Sequence, residues 1–201
     1  MGLTVLESTI SPVQVEAMLT HLRIDPIDTE SATNVELDLL DHLQSLINAA
    51  TQHVQSEIRQ QLSDARFRLT LDRFPSGRSI ELPNPPLRTI VAVSYVSTTG
   101  EKVTLDPGLY AADTSSRPGR VVLRQGAGWP ACDAVPAAVT IDFDAGYEDA
   151  VDVPAALVLA IKMLAAYWFE NREAATDRRV DAIPLGVENL LALHRFPELV
   201  G

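Results

Sequence analysis

Residues 153–173 form the most strongly patterned segment of the chain and read VPAALVLAIKMLAAYWFENRE. Proline is favoured at the start of a helix, and the apolar residues after Pro154 recur at helical spacing on nearly every side. The apolar run contains Lys162 and is shorter than the roughly 20 residues that a bilayer requires. The sequence therefore predicts a core helix over residues 154–168, covered by the rest of the chain, and a second short helix after Pro184-Leu185-Gly186.

Two further helices are predicted nearer the N-terminus. A short helix begins at Ser11 and Pro12, which suit the cap and the first helical position, and runs to about Arg23. A long amphipathic helix is predicted over residues 32–62, because apolar side chains recur there every three or four positions. These side chains are Leu39, Leu43, Leu46, Ile47, Ala50, Val54, Ile58 and Leu62.

The spacing of apolar residues changes from helical to alternating in the middle of the chain. Phe67 and Leu69 alternate with Arg66 and Arg68, as is typical of a strand with one buried face. Further short strands, bounded by Gly, Pro or Asp turns, are predicted at residues 80–82, 90–96, 102–105, 109–112, 120–123 and 138–143.

The predicted fold class is α+β. A helical body, made of the long helix and the C-terminal helices, is interrupted in sequence by an inserted small antiparallel β sandwich or barrel. We expect three parts. Residues 1–64 form an N-terminal helical part, residues 65–150 form the inserted β module, and residues 151–201 form C-terminal helices and a tail that pack with residues 1–64.

Composition narrows the possible functions. The chain has 201 residues and a formal net charge of -11, which argues against a surface that neutralises nucleic-acid phosphates. Its single cysteine, Cys132, cannot form an internal disulfide. The N-terminus lacks a basic region followed by an apolar core, so neither a signal peptide nor a membrane span is predicted.

The strongest candidate for chemistry is an acidic pair, Asp142 and Asp144. Carboxylates two residues apart on a strand lie on the same face and could share a cation, although the full ligand pattern of a calcium loop is missing. His42 and His53 are interpreted as polar-face residues of the long helix, too far apart to bind one metal. We predict no enzyme activity, no catalytic residue and no cofactor, and keep a small metal-dependent enzyme at this pair as an alternative.

Several short motifs occur together along the chain, and none of them is catalytic. In sequence order the chain resembles the head-tail connector, or adaptor, family of tailed bacteriophages and gene transfer agents. Phe169 departs from the tyrosine that we expect in that family, a change that retains an aromatic side chain. The motifs are Leu22-Arg23-Ile24-Asp25, Leu46-Ile47-Asn48-Ala49-Ala50, Leu82-Pro83-Asn84-Pro85-Pro86-Leu87, Tyr95 with Gly100, Pro118-Gly119-Arg120, Gly128-Trp129-Pro130, Ala145-Gly146-Tyr147, Val153-Pro154-Ala155-Ala156-Leu157, Trp168-Phe169-Glu170-Asn171-Arg172-Glu173 and Ile183-Pro184-Leu185-Gly186-Val187.

The resemblance implies a structural adaptor. Such proteins form a ring, with twelve copies expected here, beneath the portal of a filled capsid. The implied partners are the portal protein, a tail-side stopper or terminator protein, other copies of the chain, and DNA that passes through the ring without sequence-specific binding. No membrane is implied. The implied location is the neck of a virion or virus-like particle assembled in the bacterial cytoplasm.

The resemblance also implies where the portal binds. The C-terminal segment of such adaptors tends to reach toward the portal, and the end of this chain is apolar enough to gain order on docking. Another neck or tail-completion protein remains an alternative function. The candidate portal-binding residues are Arg195, Phe196, Pro197, Glu198, Leu199, Val200 and Gly201.

Overall fold

The computed structural model describes residues 1–8, 11–171 and 184–196, and these residues form two compact units. The β unit lies within residues 1–10 and 63–148. The helical unit lies within residues 11–62 and 149–201, so the β unit interrupts it in sequence. Four helices and two antiparallel sheets confirm the predicted α+β class.

The β unit consists of a large and a small sheet. Every strand pairing is antiparallel. The large sheet has the strand order β1-β2-β8-β4-β5 and the small sheet has the order β3-β7-β6. The strands are β1 (Gly2–Ser8), β2 (Ala65–Leu71), β3 (Ser79–Leu82), β4 (Leu87–Val96), β5 (Lys102–Thr104), β6 (Tyr110–Asp113), β7 (Gly119–Leu123) and β8 (Val139–Ala145).

One hydrophobic core lies between the two sheets. In β2 and β8 every second side chain is buried, so Phe67 and Phe143 face the core together with Val121 from the small sheet. The Phe67 and Phe143 rings stack with centroids 5.5 Å apart. A second aromatic group packs at the rim of this core, where Phe74 stacks on Trp129 with centroids 4.9 Å apart. The two faces therefore form the sandwich that alternation in the sequence predicts.

The first strand differs from the sequence-based expectation. Residues 2–8 fall in the part of the chain predicted to be helical, but they form β1 at one edge of the large sheet. Leu3 pairs with Leu69 and Val5 with Phe67, and a bulge interrupts the register between Val5 and Glu7. Pairing with β2 fixes this segment as a strand, so the N-terminal residues belong to the β unit.

Four helices lie in the described part of the helical unit. The long helix is shorter than predicted because a reciprocal cap between Thr33 and Glu36 starts it, and left-handed Arg59 ends it. The first helix begins after Gln14 and not at Pro12. The helices are α1 (Val15–Leu22), α2 (Asn34–Ile58), α3 (Ala155–Glu170) and α4 (Leu185–Ala192).

Helix α3 is the central element of the helical unit. Leu157, Ile161 and Leu164 are at most 1% exposed, and α3 packs against α1, α2 and α4. The Trp168 ring meets His53 of α2 edge to face, with centroids 6.1 Å apart. His53 is half-buried, so its interpretation as a polar-face residue is wrong, whereas His42 is exposed. No helix in the described part of the chain has both the length and the hydropathy needed to cross a membrane.

Candidate functional site

The start of the candidate portal-binding segment is attached to the end of α2. The Arg195 guanidinium lies 2.8 Å from a carboxylate oxygen of Glu57, and the Phe196 amide donates to the Ile58 carbonyl at 2.9 Å. The Gln60 side-chain amide donates to the His194 carbonyl. The remaining predicted residues, Pro197, Glu198, Leu199, Val200 and Gly201, lie outside the described residues. Arg195 and Phe196 are therefore held by the helical unit itself.

Apolar side chains are exposed next to this attachment point. Helix α4 buries Val187 and Leu191, which hold it against the helical unit. Leu185 and Leu193, at its two ends, remain 77% and 85% exposed. Single exposed leucines are common on protein surfaces, so these two do not by themselves mark a binding site.

The acidic pair on β8 is already occupied by two arginines of β2. Arg68 donates two hydrogen bonds to Asp142 at 2.7 and 2.8 Å, and Arg66 donates two to Asp144 at 2.8 and 3.2 Å. Both pairs lie on the face of the large sheet away from the core. These contacts raise the pKa of both guanidinium groups, chiefly through the hydrogen bonds to the carboxylates. The carboxylates are neutralised by protein cations, which removes their suitability as a shared metal site.

A charged depression of about 240 Å³ extends from these ion pairs. Arg88 forms ion pairs with Asp64 and with Glu148, the latter at 3.6 Å. Arginines and carboxylates therefore alternate in the depression. The residues that line it include no serine, cysteine or histidine that could act as a nucleophile with a neighbouring base. It is lined by Glu7, Asp64, Ala65, Arg66, Arg88 and Asp144.

The helical unit has a larger groove, between α1, the following loop and α2. Its volume is about 540 Å³, and Leu19, Ile24 and Leu40 give it apolar walls. Its charged side chains are Glu16, Arg23 and Asp25. The residues that line the groove include no histidine, cysteine or serine. Throughout residues 1–8, 11–171 and 184–196, no three His, Cys, Asp or Glu side chains come together as a metal site.

Substitution of Asp142 tests whether this carboxylate serves the fold. Hydrogen bonds from Arg68 lower the pKa of the Asp142 carboxyl below its ordinary value. Its contribution to folding is therefore present above the unfolded pKa of about 4 and is lost as pH falls below that value. Asp142→Asn should lower the free energy of unfolding by about 1 kcal/mol or less at pH 7. The difference from the wild type should shrink as the pH falls below about 4 and through the lowered pKa of the folded state.

Urea unfolding at pH 7 and pH 3 measures this difference. Asp149→Asn is the matched control, because Asp149 is exposed and its side chain makes no capping hydrogen bond. A difference for Asp142→Asn that is as large at pH 3 as at pH 7 would contradict the ion-pair explanation.

Comparison of the whole fold with solved structures finds similar chains in one class of particle. No protein-family model and no curated protein matches the sequence. A chain in the neck of an empty gene transfer agent particle, computed with C6 symmetry, has a TM-score of 0.76 and 25% identity, over 100% of this chain and 98% of that chain. The chain has the fold of a particle-neck protein.

Two other solved structures have the same relation to the neck-protein fold. A chain in the virion of a native gene transfer agent particle has a TM-score of 0.75 and 24% identity, over 100% of this chain and 98% of that chain. A chain in the native neck, computed with C12 symmetry, has a TM-score of 0.69 and 24% identity, over 98% of both chains. Both chains share the fold of the neck chain with 25% identity, and that match over the whole of this chain supports the resemblance to the connector family.

The sequence pattern did not lead us to predict β1, the exposed strand at one edge of the large sheet. Leu3 and Val5 alternate with Thr4, which is a strand signal. The signal is short, and Leu6 breaks the alternation next to the bulge. A search for interrupted alternation at the N-terminus would have found it.

Proposed function

We propose that this protein is a structural adaptor of a particle neck. Twelve copies form a ring beneath the portal, join the DNA-filled head to the tail, and line the DNA channel. The observation that carries the proposal is the likeness to chains of gene transfer agent necks along the whole length of both chains. The C12 symmetry of one of those necks supports the twelve copies.

The surface chemistry supports a structural role without catalysis. The net charge of -11 repels phosphate, so a ring of such chains provides a channel in which the duplex slides without sequence-specific contacts. The ion pairs between β2 and β8 engage Asp142 and Asp144, the two carboxylates at the centre of the metal-dependent alternative. Asp142→Asn therefore leaves particle assembly intact.

The portal-binding function falls to the end of the chain. Arg195 and Phe196 anchor the segment on α2 through the Glu57 ion pair and the Ile58 carbonyl. Residues 197–201 then act as the docking arm, and exposed Leu193 extends the apolar surface at its base. The opposite side of the ring receives the tail-side stopper or terminator.

Deleting residues 197–201 should disconnect the neck. We expect the yield of tailed, DNA-filled particles to fall by at least about tenfold, because a loss of about 1.4 kcal/mol in the free energy of docking weakens binding tenfold. Replacing the same five residues with Gly and Ser controls for chain length and should be equally defective. Replacing Glu198 with Gln should be nearly neutral, because it removes one charge and retains the apolar residues.

Electron microscopy of purified particles, with an antibody fragment against this protein as a marker, measures both location and tail attachment. The proposed function predicts the label at the neck. Label on the tail with normal head closure would assign the chain to tail completion, and absence of the protein from particles would refute a neck function.

A further inference from the structure

Three arginines lie at one end of the small sheet. Arg78 directly precedes β3 and donates to the carbonyls of Leu123 and Arg124 at 3.0 and 2.7 Å, so its side chain crosses the end of β7. Arg124 donates to the Tyr110 carbonyl at 3.2 Å. Arg73 is exposed and belongs to the same loop as Arg78, between β2 and β3. The fold therefore holds two of these guanidinium groups against backbone carbonyls, which do not neutralise their charge.

No carboxylate of the described residues forms an ion pair with Arg73, Arg78 or Arg124. Asp72, next to Arg73 in sequence, accepts a hydrogen bond from the Ala137 amide instead. The arginines of the β unit that do form ion pairs are Arg66, Arg68, Arg88 and Arg120. The end of the small sheet therefore presents three cations to a partner.

An aromatic group lies beside these arginines. The Trp129 indole N–H donates to the Gly77 carbonyl at 2.8 Å, which fixes the ring against the loop between β2 and β3. Phe74 of that loop stacks on Trp129 with the ring planes 6° apart, and Tyr95 meets Phe74 edge to face. All three rings are half-buried. Arginine, tryptophan and tyrosine are enriched among the residues that dominate the binding energy of protein interfaces, so this arginine–aromatic surface has the composition of an interface centre.

A surface of the helical unit has the opposite charge. Residues 24–58 contain seven carboxylates and no lysine or arginine. Asp38 and Asp41, in the first turns of α2, are exposed, and neither forms an ion pair in the part of the chain that the structure describes. Val35 and Leu37 precede them by about one turn each and are 77% and 41% exposed. This acidic start of α2 therefore combines free carboxylates with exposed apolar side chains.

We propose that the arginine–aromatic surface of one copy docks on the acidic start of α2 in the next copy of the ring. This proposal rests on the proposed function, because the ring supplies the neighbouring copy. A head-to-tail ring of identical chains needs two different surfaces that complement each other. These two surfaces do so in both charge and polarity. The guanidinium groups face the carboxylates, and the aromatic rings cover Val35 and Leu37.

DNA phosphates are the other anions that these arginines could bind, and two observations favour protein. Phe74 and Trp129 are stacked on each other, so their facing sides are closed to the bases that single-strand binding proteins stack on open rings. The net charge of -11 opposes the approach of a duplex. The acidic start of α2 carries the same sign of charge as a phosphate and also offers apolar side chains to the rings.

Reciprocal charge reversal tests this contact in assembled particles. Arg73→Glu places like charges against the acidic start of α2 and should reduce incorporation into necks by about tenfold or more, which corresponds to an interface weakened by about 1.4 kcal/mol. Asp38→Arg alone should have a similar defect. Combining the two reversals brings opposite charges together again and should restore incorporation to near the wild-type level. Asp41→Arg, combined with Arg73→Glu, samples the neighbouring carboxylate in the same way.

Two controls separate a specific contact from a change in total charge. Arg117→Glu is the matched single reversal, because Arg117 is exposed and lies in the turn between β6 and β7, at the opposite end of that strand pair from Arg124. It should be incorporated like the wild type. Arg73→Glu with Asp149→Arg has the same net charge as the rescuing pair but leaves α2 unchanged, so it should remain defective. Thermal unfolding of each purified variant distinguishes an assembly defect from misfolding.

The outcomes distinguish this proposal from the proposed function. If the wild-type protein is found in necks but Arg73→Glu assembles normally, or if neither Asp38→Arg nor Asp41→Arg rescues it, the contact is wrong and the adaptor function stands. Normal incorporation of Arg73→Glu with loss of packaged DNA would assign the arginines to DNA and likewise overturn the contact. If the wild-type protein is absent from necks, the adaptor function fails, and the contact that rests on it fails as well.

Discussion

Replacing Phe143 with alanine should lower the free energy of unfolding of the β unit by about 3–5 kcal/mol. Phe143 of β8 and Phe67 of β2 are directly paired neighbours, and their rings are stacked at an interplanar angle of 22°. Both are at most 1% exposed. Removing one ring leaves a cavity and exposes the other ring to it, so the loss is a large part of the roughly 5–15 kcal/mol that stabilises a typical domain.

The two tryptophans allow the β unit to be measured on its own. Trp129 belongs to the β unit and Trp168 to α3 of the helical unit, so Trp168→Phe leaves Trp129 as a reporter. Urea unfolding followed by Trp129 fluorescence gives the change for Phe143→Ala in that background. Leu109→Ala is the control, because Leu109 is 37% exposed. A change for Phe143→Ala no larger than that of the control would show that the stack contributes little.

The strands of the β unit could be predicted because burial repeats along them. β2 and β8 each alternate buried and half-buried positions, which is the pattern that Phe67 and Leu69 display in the sequence. β1 escaped prediction because its stability comes from pairing with β2, more than 50 residues away in sequence, and no other strand among the described residues pairs with it. Local propensity contains little information about such an edge strand.

The acidic pair shows a second limit of sequence reasoning. Alternation alone places Asp142 and Asp144 on one face of a strand. Their partners, Arg66 and Arg68, become neighbours only through the register between β2 and β8, 74 and 78 residues apart along the chain. The alternating pattern correctly predicted that the two carboxylates share a face, but not that two arginines lie opposite them. Those arginines favour a structural role for the carboxylates over metal binding.

The same dependence on tertiary contacts applies to β1 and to the start of the proposed portal-binding segment. Leu3 and Val5 are apolar like core residues, yet they are 38% and 56% exposed and lie outside the buried core of the β unit. Arg195 is a surface cation in the sequence, and the fold places it against Glu57. The exposure of these side chains is therefore set by tertiary contacts that the sequence pattern does not show.

Gly119 is the position at which a small substitution should have the largest effect on sheet packing. Gly119 begins β7 in the small sheet, and Leu87 begins β4 in the large sheet. A Cβ atom at Gly119 would overlap the Leu87 Cβ and lie 2.7 Å from its Cδ2 and 3.0 Å from its Cγ. The Leu87 Cβ is fixed to the backbone, so the two sheets would have to move apart. Gly119→Val should lower the free energy of unfolding by about 3 kcal/mol or more.

Two effects of this substitution oppose each other, and their magnitudes decide the sign. Valine has a higher strand propensity than glycine, which favours the variant by at most about 1 kcal/mol. Overlap with Leu87 outweighs that gain. Gly128→Val is the control, since nothing lies within 4 Å of a Cβ built there. Urea unfolding reported by Trp129 fluorescence should show a clear loss for Gly119→Val and a much smaller change for the control. A variant as stable as the wild type would mean that the sheets separate freely at this point.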